Sequence, residues 1–88
     1  MAATKTFTVN NKLGIHARPA AQFVKTASRF DCEIRVEKDG EEIDGKSIMG
    51  LMMLAAGHGS ELIVTAEGSD EADALTALEA LFLKNFEE

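Results

Sequence analysis

Cysteine and proline are almost absent from this 88-residue chain, which has one of each. A single cysteine, Cys32, excludes an internal disulfide and supplies too few thiolates for a zinc site of the usual kind. There is also no proline-rich linker or low-complexity segment, so successive elements should follow one another through short turns. We therefore expect residues 1–88 to form a single domain that is held together by packing alone and needs no metal and no cofactor.

Long apolar runs are missing as well. No stretch of about 18 apolar residues occurs, and the polar, alternating start of the chain is not an apolar leader. These absences predict a cytoplasmic protein with no membrane insertion. Positive charge is scarce too, with 9 Lys and Arg against 15 Asp and Glu and a formal net charge of -6. Because nucleic-acid binding needs clustered cations that displace counterions, this balance argues against direct binding to nucleic acid.

The few cations are concentrated near the start of the chain. The first third contains Lys12, Arg18, Lys25 and Arg29. A local basic face on an acidic chain would attract an acidic protein partner or a phosphoryl group rather than a long polyanion.

The spacing of apolar residues predicts the element order β-α-β-β-α-β-α. Alternation predicts strands over residues 5–9, 32–37, 41–44 and 62–66. Spacings of three and four predict helices over 17–28 and 48–55, and a last helix capped by Ser69-Asp70-Glu71. Since each strand has one apolar face and each long helix one apolar stripe, we predict an α+β fold. Its four-stranded antiparallel sheet is covered on one face by three helices.

His16 stands between a glycine turn and the first residues of the first predicted helix. A helix start carries unpaired amides and the positive end of the dipole, so an anion on His16 would lie in a binding site. The amides of Ala17 and Arg18, with the Arg18 guanidinium, would form that anion-binding site. Imidazole is a nucleophile whose bound phosphoryl group stays transferable. The local sequence also allows His16 to be no more than a helix cap.

Ser47 ends the turn before the second predicted helix, where it could serve as the N-cap. The apolar run that follows is too short a helix to bury every side, so some of its side chains should be exposed. We assign Leu51 to the core and assign Ile48, Met49 and Met52 to a docking surface, since adaptable methionines suit a surface that meets several partners in turn.

Two motifs carry a resemblance to a known family. Gly-Ile-His-Ala-Arg-Pro-Ala over residues 14–20, together with Gly-Lys-Ser-Ile-Met-Gly over residues 45–50, resembles the HPr family, the phosphocarriers of the phosphoenolpyruvate-dependent sugar phosphotransferase system. The resemblance covers essentially the whole chain. It implies an open-faced β-sandwich in which His16 accepts a phosphoryl group on Nδ1 from phosphorylated enzyme I and passes it to enzyme IIA domains. It also implies that Arg18 positions and neutralises the phosphoryl group.

The same resemblance implies further partners and sites. Ser47 would be a regulatory site for HPr kinase/phosphorylase, with a transcriptional regulator as a further partner, and the docking surface would include Ala21 and Lys25. We expect a monomer. The chain is not expected to be an enzyme, because no second titratable residue is spaced to act as a general base, so the partners must supply the catalytic groups and magnesium.

Two alternatives stay open. The chain could be the HPr-like member of a regulatory, nitrogen-type phosphotransfer chain, with the same chemistry at His16 and no sugar transported. It could instead be a small binding module of ferredoxin-like appearance that is not phosphorylated. Two remaining residues receive no functional role: His58, expected in an exposed turn, and Cys32, expected on the buried face of a strand.

Overall fold

The alternating apolar residues build a single four-stranded antiparallel sheet in a computed structural model that describes residues 2–87. Its strands are β1 (Ala2–Thr8), β2 (Glu33–Lys38), β3 (Glu41–Asp44) and β4 (Glu61–Glu67). They lie in the order β1-β4-β2-β3, and every neighbouring pair is antiparallel. Strands β2 and β3 follow each other directly in the sequence. They are joined by the predicted turn at Asp39 and Gly40, which both have positive φ.

Three helices follow the predicted order: α1 (Ala17–Ala27), α2 (Ile48–Met53) and α3 (Glu71–Leu83). A short 3-10 turn over Asn85–Glu87 follows α3 and was not predicted. Helix α2 ends two residues earlier than predicted, because Leu54 forms its C-cap and Ala55 has φ +52. The element order β-α-β-β-α-β-α is therefore confirmed.

The hydrophobic core lies between one face of the sheet and the helices. The strand side chains buried there are those of Phe7, Ile34, Val36, Leu62, Val64 and Ala66. Alternate residues of the same strands face solvent and are mostly threonines and charged residues, as the period of two requires. This confirms the predicted sheet covered on one face.

Helix α3 is anchored by an aromatic cluster. The ring of Phe82 stacks on Phe7 of β1 at a centroid distance of 4.7 Å. It also meets the edges of Phe23 in α1, at 6.3 Å, and Phe86, at 5.0 Å. One side chain thus joins the first strand, the first helix and the chain after the last helix.

The open face of the sheet carries a cluster of charges around Arg35 of β2. Its guanidinium pairs with Glu33, with Glu67 at 3.5 Å and with Glu42 at 3.9 Å. Hydrogen bonding to Glu33, followed by the fields of the neighbouring carboxylates, raises the pKa of Arg35. Arg35 therefore holds together three strands of an otherwise acidic surface.

The cap of the last helix lies within the predicted segment Ser69-Asp70-Glu71. Asp70 is the N-cap residue of α3, but its carboxylate makes no capping bond to that helix. It instead accepts the amides of Asp31, at 2.8 Å, and Cys32, at 3.0 Å. These bonds, that of Asp31 first, lower the pKa of Asp70. Asp70 thus ties the start of α3 to the entry of β2, a long-range contact that helix spacing cannot reveal.

Cys32 is buried, as predicted. Burial, together with the Asp70 carboxylate, raises the pKa of its thiol to about 11. A thiol that stays protonated at neutral pH is a poor nucleophile, which agrees with the packing role assigned to it.

Candidate functional site

The loop that carries His16 is pressed against the segment that leaves α2. The amide of Ile15 donates to the carbonyl of Ala56 at 2.8 Å. Gly14, with φ +73, lies so close to this segment that a Cβ atom would be 2.5 Å from the Ala56 carbonyl oxygen and 2.8 Å from Cα of Gly57. Only glycine can supply both the left-handed backbone and this close approach.

His16 is the N-cap residue of α1, with the extended backbone expected there (φ -97, ψ -166). Its amide donates to the carbonyl of Gly14 at 3.2 Å, and its carbonyl accepts the amide of Ala20 at 3.0 Å. His16 is thus a helix cap through its backbone, as the sequence allowed, while its half-buried side chain makes no capping hydrogen bond to α1. These two backbone bonds hold His16 in place at the start of α1.

The first turn of α1 offers two amides to an anion at His16. The third residue of the helix is Pro19, which has no N–H, and the fourth, Ala20, is already bonded to His16. The first-turn donors that have no place in the helical ladder are therefore the amides of Ala17 and Arg18. They lie at the positive end of the helix dipole, as the sequence predicted.

One exposed face of α1 is basic. Arg18, Ala21 and Lys25 are all exposed and are spaced by three and four residues, so they share a face that begins beside His16. Arg29, which the sequence placed with them, follows the other end of this 11-residue helix. A helix of that length spans about 16 Å, so Arg29 lies away from the site.

Ser47 forms the predicted cap of α2. Its Oγ accepts the amide of Gly50 at 3.0 Å, and its carbonyl accepts the amide of Leu51 at 3.1 Å. The side chain is half-buried, and the backbone is extended, as at most N-caps.

Helices α1 and α2 pack against each other with opposite ends adjacent. The start of α1 meets the exit of α2 through the bond from Ile15 to Ala56. The start of α2 meets the end of α1, where Lys46 Nζ donates to the carbonyl of Phe30 at 2.7 Å. His16 and Ser47 therefore lie at opposite ends of α2, which has six residues and spans about 9 Å.

Exposed apolar side chains lie on α2 and on the loop before α1 that leads to His16. Ile48, Met49 and Met52 are exposed and Leu51 is buried, as predicted. Two further exposed residues were not predicted: Leu13, which is 72% exposed, and Met53, which is 68% exposed. We call these five exposed side chains, at positions 13, 48, 49, 52 and 53, the apolar patch. An exposed leucine in a polar loop gives no periodic signal, which is why the sequence did not reveal it.

Over residues 2–87, no group of three or more His, Cys, Asp and Glu side chains is arranged to hold a metal ion. Over the same range, none of the helices combines the length and the apolar character that crossing a membrane would need. His58 is exposed in the turn before β4.

A comparison with protein families matches residues 3–84 to the model described as the PTS HPr component phosphorylation site. The chain belongs to the HPr family. The phosphocarrier protein HPr of Treponema pallidum is 54% identical over 84 residues, which are 96% of each chain. The HPr-like protein Crh of Halalkalibacterium halodurans is 53% identical over 76 residues, which are 86% of this chain and 90% of the relative.

Solved HPr structures share the fold. HPr-C-His from Thermoanaerobacter tengcongensis superposes with a TM-score of 0.94 at 46% identity, covering 98% of this chain and 97% of that one. A structure described as an HPr dimer from the same organism gives a TM-score of 0.80 at 48% identity, covering 93% and 94% of the two chains. The open-faced sandwich that the resemblance implied is thus confirmed, and its relatives are named as phosphocarriers.

Proposed function

We propose that His16 accepts a phosphoryl group from phosphorylated enzyme I and passes it to enzyme IIA domains of the sugar phosphotransferase system. The observation that carries the proposal is the position of His16, at the start of α1 beside two donor amides and on a loop that is bonded to the exit of α2, a helix with exposed apolar residues. In the transfer, the lone pair on Nδ1 attacks phosphorus as the bond from phosphorus to the donor nitrogen breaks. His16 keeps its proton on Nε2 and becomes a phosphorylated imidazolium, while the donor ring, protonated on its other nitrogen, leaves as neutral imidazole.

The surroundings of His16 suit a carrier rather than a trap. The amides of Ala17 and Arg18 would bind phosphoryl oxygens, and the Arg18 guanidinium would add positive charge. Arg18 is exposed, so its charge is screened by water and the stabilisation is moderate. A moderate hold lets the phosphoryl group leave again when the next partner arrives.

Partner docking is proposed for the face that surrounds His16. Lys25 would meet acidic groups of enzyme I and of the IIA domains, while Ala21 and the exposed residues Ile48, Met49 and Met52 would be covered by apolar ones. The partners would supply the remaining catalytic groups and magnesium, so the chain itself is a substrate and donor rather than an enzyme. It would act in the cytoplasm, as a monomer whose docking face is open to one partner at a time.

Phosphorylation of Ser47 by an HPr kinase/phosphorylase is proposed as a control on that docking. A phosphate there would lie at the start of α2, where the helix dipole tolerates it, so the fold would persist. It would add nearly two negative charges to the edge of the docking face. Because His16 lies at the other end of α2, the phosphate would act by repelling acidic partners rather than by touching the imidazole.

The test is intact-protein mass spectrometry after incubation with phosphoenolpyruvate, magnesium and enzyme I, with His16→Ala as the control. Acid-labile addition of one phosphoryl group to the wild type and none to the variant is the expected result. Stable, acid-resistant addition, or equal addition to both proteins, would overturn it.

Two versions of the same incubation separate the alternatives. Replacing enzyme I by its nitrogen-type counterpart identifies a regulatory phosphotransfer chain if that enzyme transfers faster. A wild-type protein that stays unmodified with both enzymes would favour a binding module without phosphorylation.

A further inference from the structure

The loop that carries His16 contains a buried polar side chain that the proposed chemistry does not use. Asn11 is 3% exposed, whereas its neighbours Asn10 and Lys12 are exposed. Burying an amide costs free energy unless it forms hydrogen bonds, and an apolar side chain of similar size would avoid that cost. The hydrogen bonds of the Asn11 side chain must therefore offset the free-energy cost of its burial.

One of those bonds reaches the carbonyl of Gly14, a backbone group close to His16. The side-chain Nδ2 of Asn11 donates to the carbonyl of Gly14. The amide of Gly14 returns a bond to the carbonyl of Asn11 at 3.1 Å, which closes the loop on itself. The same Gly14 carbonyl accepts the amide of His16 at 3.2 Å. A single oxygen thus links the Asn11 side chain to the backbone of His16.

Asn11 is itself held by the sheet. Two residues before it, Val9 is fully buried and bonds at both backbone groups to the turn before β4, its amide to Ser60 at 2.8 Å and its carbonyl to Gly59 at 2.7 Å. The Asn11 side chain thus extends from a backbone segment bonded to that turn, and it contacts the Gly14 carbonyl two residues before His16.

We infer that Asn11 is a positioning residue for phosphoryl transfer, which acts by holding the Gly14 carbonyl and through it the backbone of His16. The inference rests on the proposed role of His16. Small displacements of a reacting group cost rate steeply, because the alignment of nucleophile and phosphorus is lost. The residues proposed for docking lie on α1 and α2 and do not include Asn11, so the loss should fall on kcat and leave KM largely unchanged.

The experiment measures steady-state phosphoryl transfer from phosphorylated enzyme I to Asn11→Ala, with Asn10→Ala as the matched control. Both are asparagine-to-alanine changes at adjacent positions, one buried and one exposed. We expect kcat of Asn11→Ala to fall about tenfold with KM changed less than about twofold. The control should transfer like the wild type. Asn11→Ser, which keeps a polar side chain but removes the amide nitrogen, should lose kcat in the same way and replaces the alanine variant if that variant does not fold.

Hydrogen exchange of the Ile15 and His16 amides in the unphosphorylated protein gives a second readout that does not depend on transfer. Exchange about tenfold faster in Asn11→Ala than in Asn10→Ala is expected. Unchanged exchange would overturn the inference, as would a rise in KM at constant kcat or a fall in kcat no larger than the unfolded fraction explains. If the wild type accepts no phosphoryl group, the proposed function fails, whereas the exchange rates still decide whether Asn11 holds the loop.

Discussion

Replacing Gly14 by alanine should destabilise the protein for two reasons that can be measured separately. The first is conformational, because Gly14 has φ +73 and a residue with a Cβ atom pays about 1 kcal/mol to adopt the left-handed region. The second is steric, because the new Cβ atom would lie 2.5 Å from the carbonyl oxygen of Ala56. The two nearest atoms, the Ala56 carbonyl oxygen and Cα of Gly57, both belong to the backbone, so there is no flexible side chain that could move aside.

Gly59 offers the matched control. It also has positive φ, at +89, but a Cβ atom there would meet nothing within 4 Å. Gly59→Ala should therefore cost only the conformational part, about 1 kcal/mol. Gly14→Ala should additionally weaken the bond from Ile15 to Ala56, worth about 1 kcal/mol, and disturb the packing of the buried Ile15 side chain. We expect a total of about 2–4 kcal/mol, which a domain of ordinary stability survives.

Urea unfolding followed by far-ultraviolet circular dichroism measures both variants, because the chain has no Trp or Tyr for a fluorescence signal. The difference between the two losses of unfolding free energy isolates the close approach of the His16 loop to the exit of α2. A difference below about 0.5 kcal/mol would refute the claim that this contact is tight, since measured single-site effects vary by about that much away from strained positions.

Three further outcomes test the fold and the second site. Phe82→Ala should lower the free energy of unfolding by about 3–5 kcal/mol, because it empties the centre of the aromatic cluster; a loss below about 2 kcal/mol in urea unfolding would contradict this. Ser47→Ala should cost about 1 kcal/mol by removing the cap on α2, whereas Ser47→Asp should cost little because aspartate caps as well; urea unfolding of Ser47→Ala that matches the wild type would show that the cap contributes nothing. The pKa of Asp70 lies below its ordinary value of 3.8, first because the Asp31 amide donates to its carboxylate, so its stabilising effect is complete above that value and is lost as the pH falls through the lowered pKa. Asp70→Asn should accordingly lose stability less steeply than the wild type when urea midpoints are compared below about pH 4, and parallel profiles would rule out this role for Asp70.

Much of the fold was predictable because its causes are local. Alternation and helical spacing are properties of a few neighbouring residues, and each strand and helix of this chain has one clear apolar side. The cap at Ser47 was predictable for the same reason, since the hydroxyl and the Gly50 amide that it accepts are three residues apart. His16 could be placed at the start of α1 from the glycine turn and the proline that follows it.

What the sequence did not reveal depends on contacts between distant segments. Asp70 is a residue type that commonly caps helices. Its carboxylate instead accepts hydrogen bonds from the amides of Asp31 and Cys32, which lie 39 and 38 residues earlier. Asn11 resembles an ordinary loop residue in the sequence. Only the folded structure shows that it is buried and bonded to the Gly14 carbonyl. Leu13 becomes part of the apolar patch only because its loop is pressed against the segment that leaves α2.

The place of β1 in the sheet also has a consequence for synthesis on the ribosome. β1 is the first strand to be made, yet it pairs with β4 alone, and Ala2 lies opposite Glu67. The backbone of β1 therefore has no strand partner until β4 has been translated. The hairpin of β2 and β3 can form much earlier, because its closure is short and local. The loop that carries His16 continues from β1, so in the nascent chain we expect it to become ordered only after β4 has been translated.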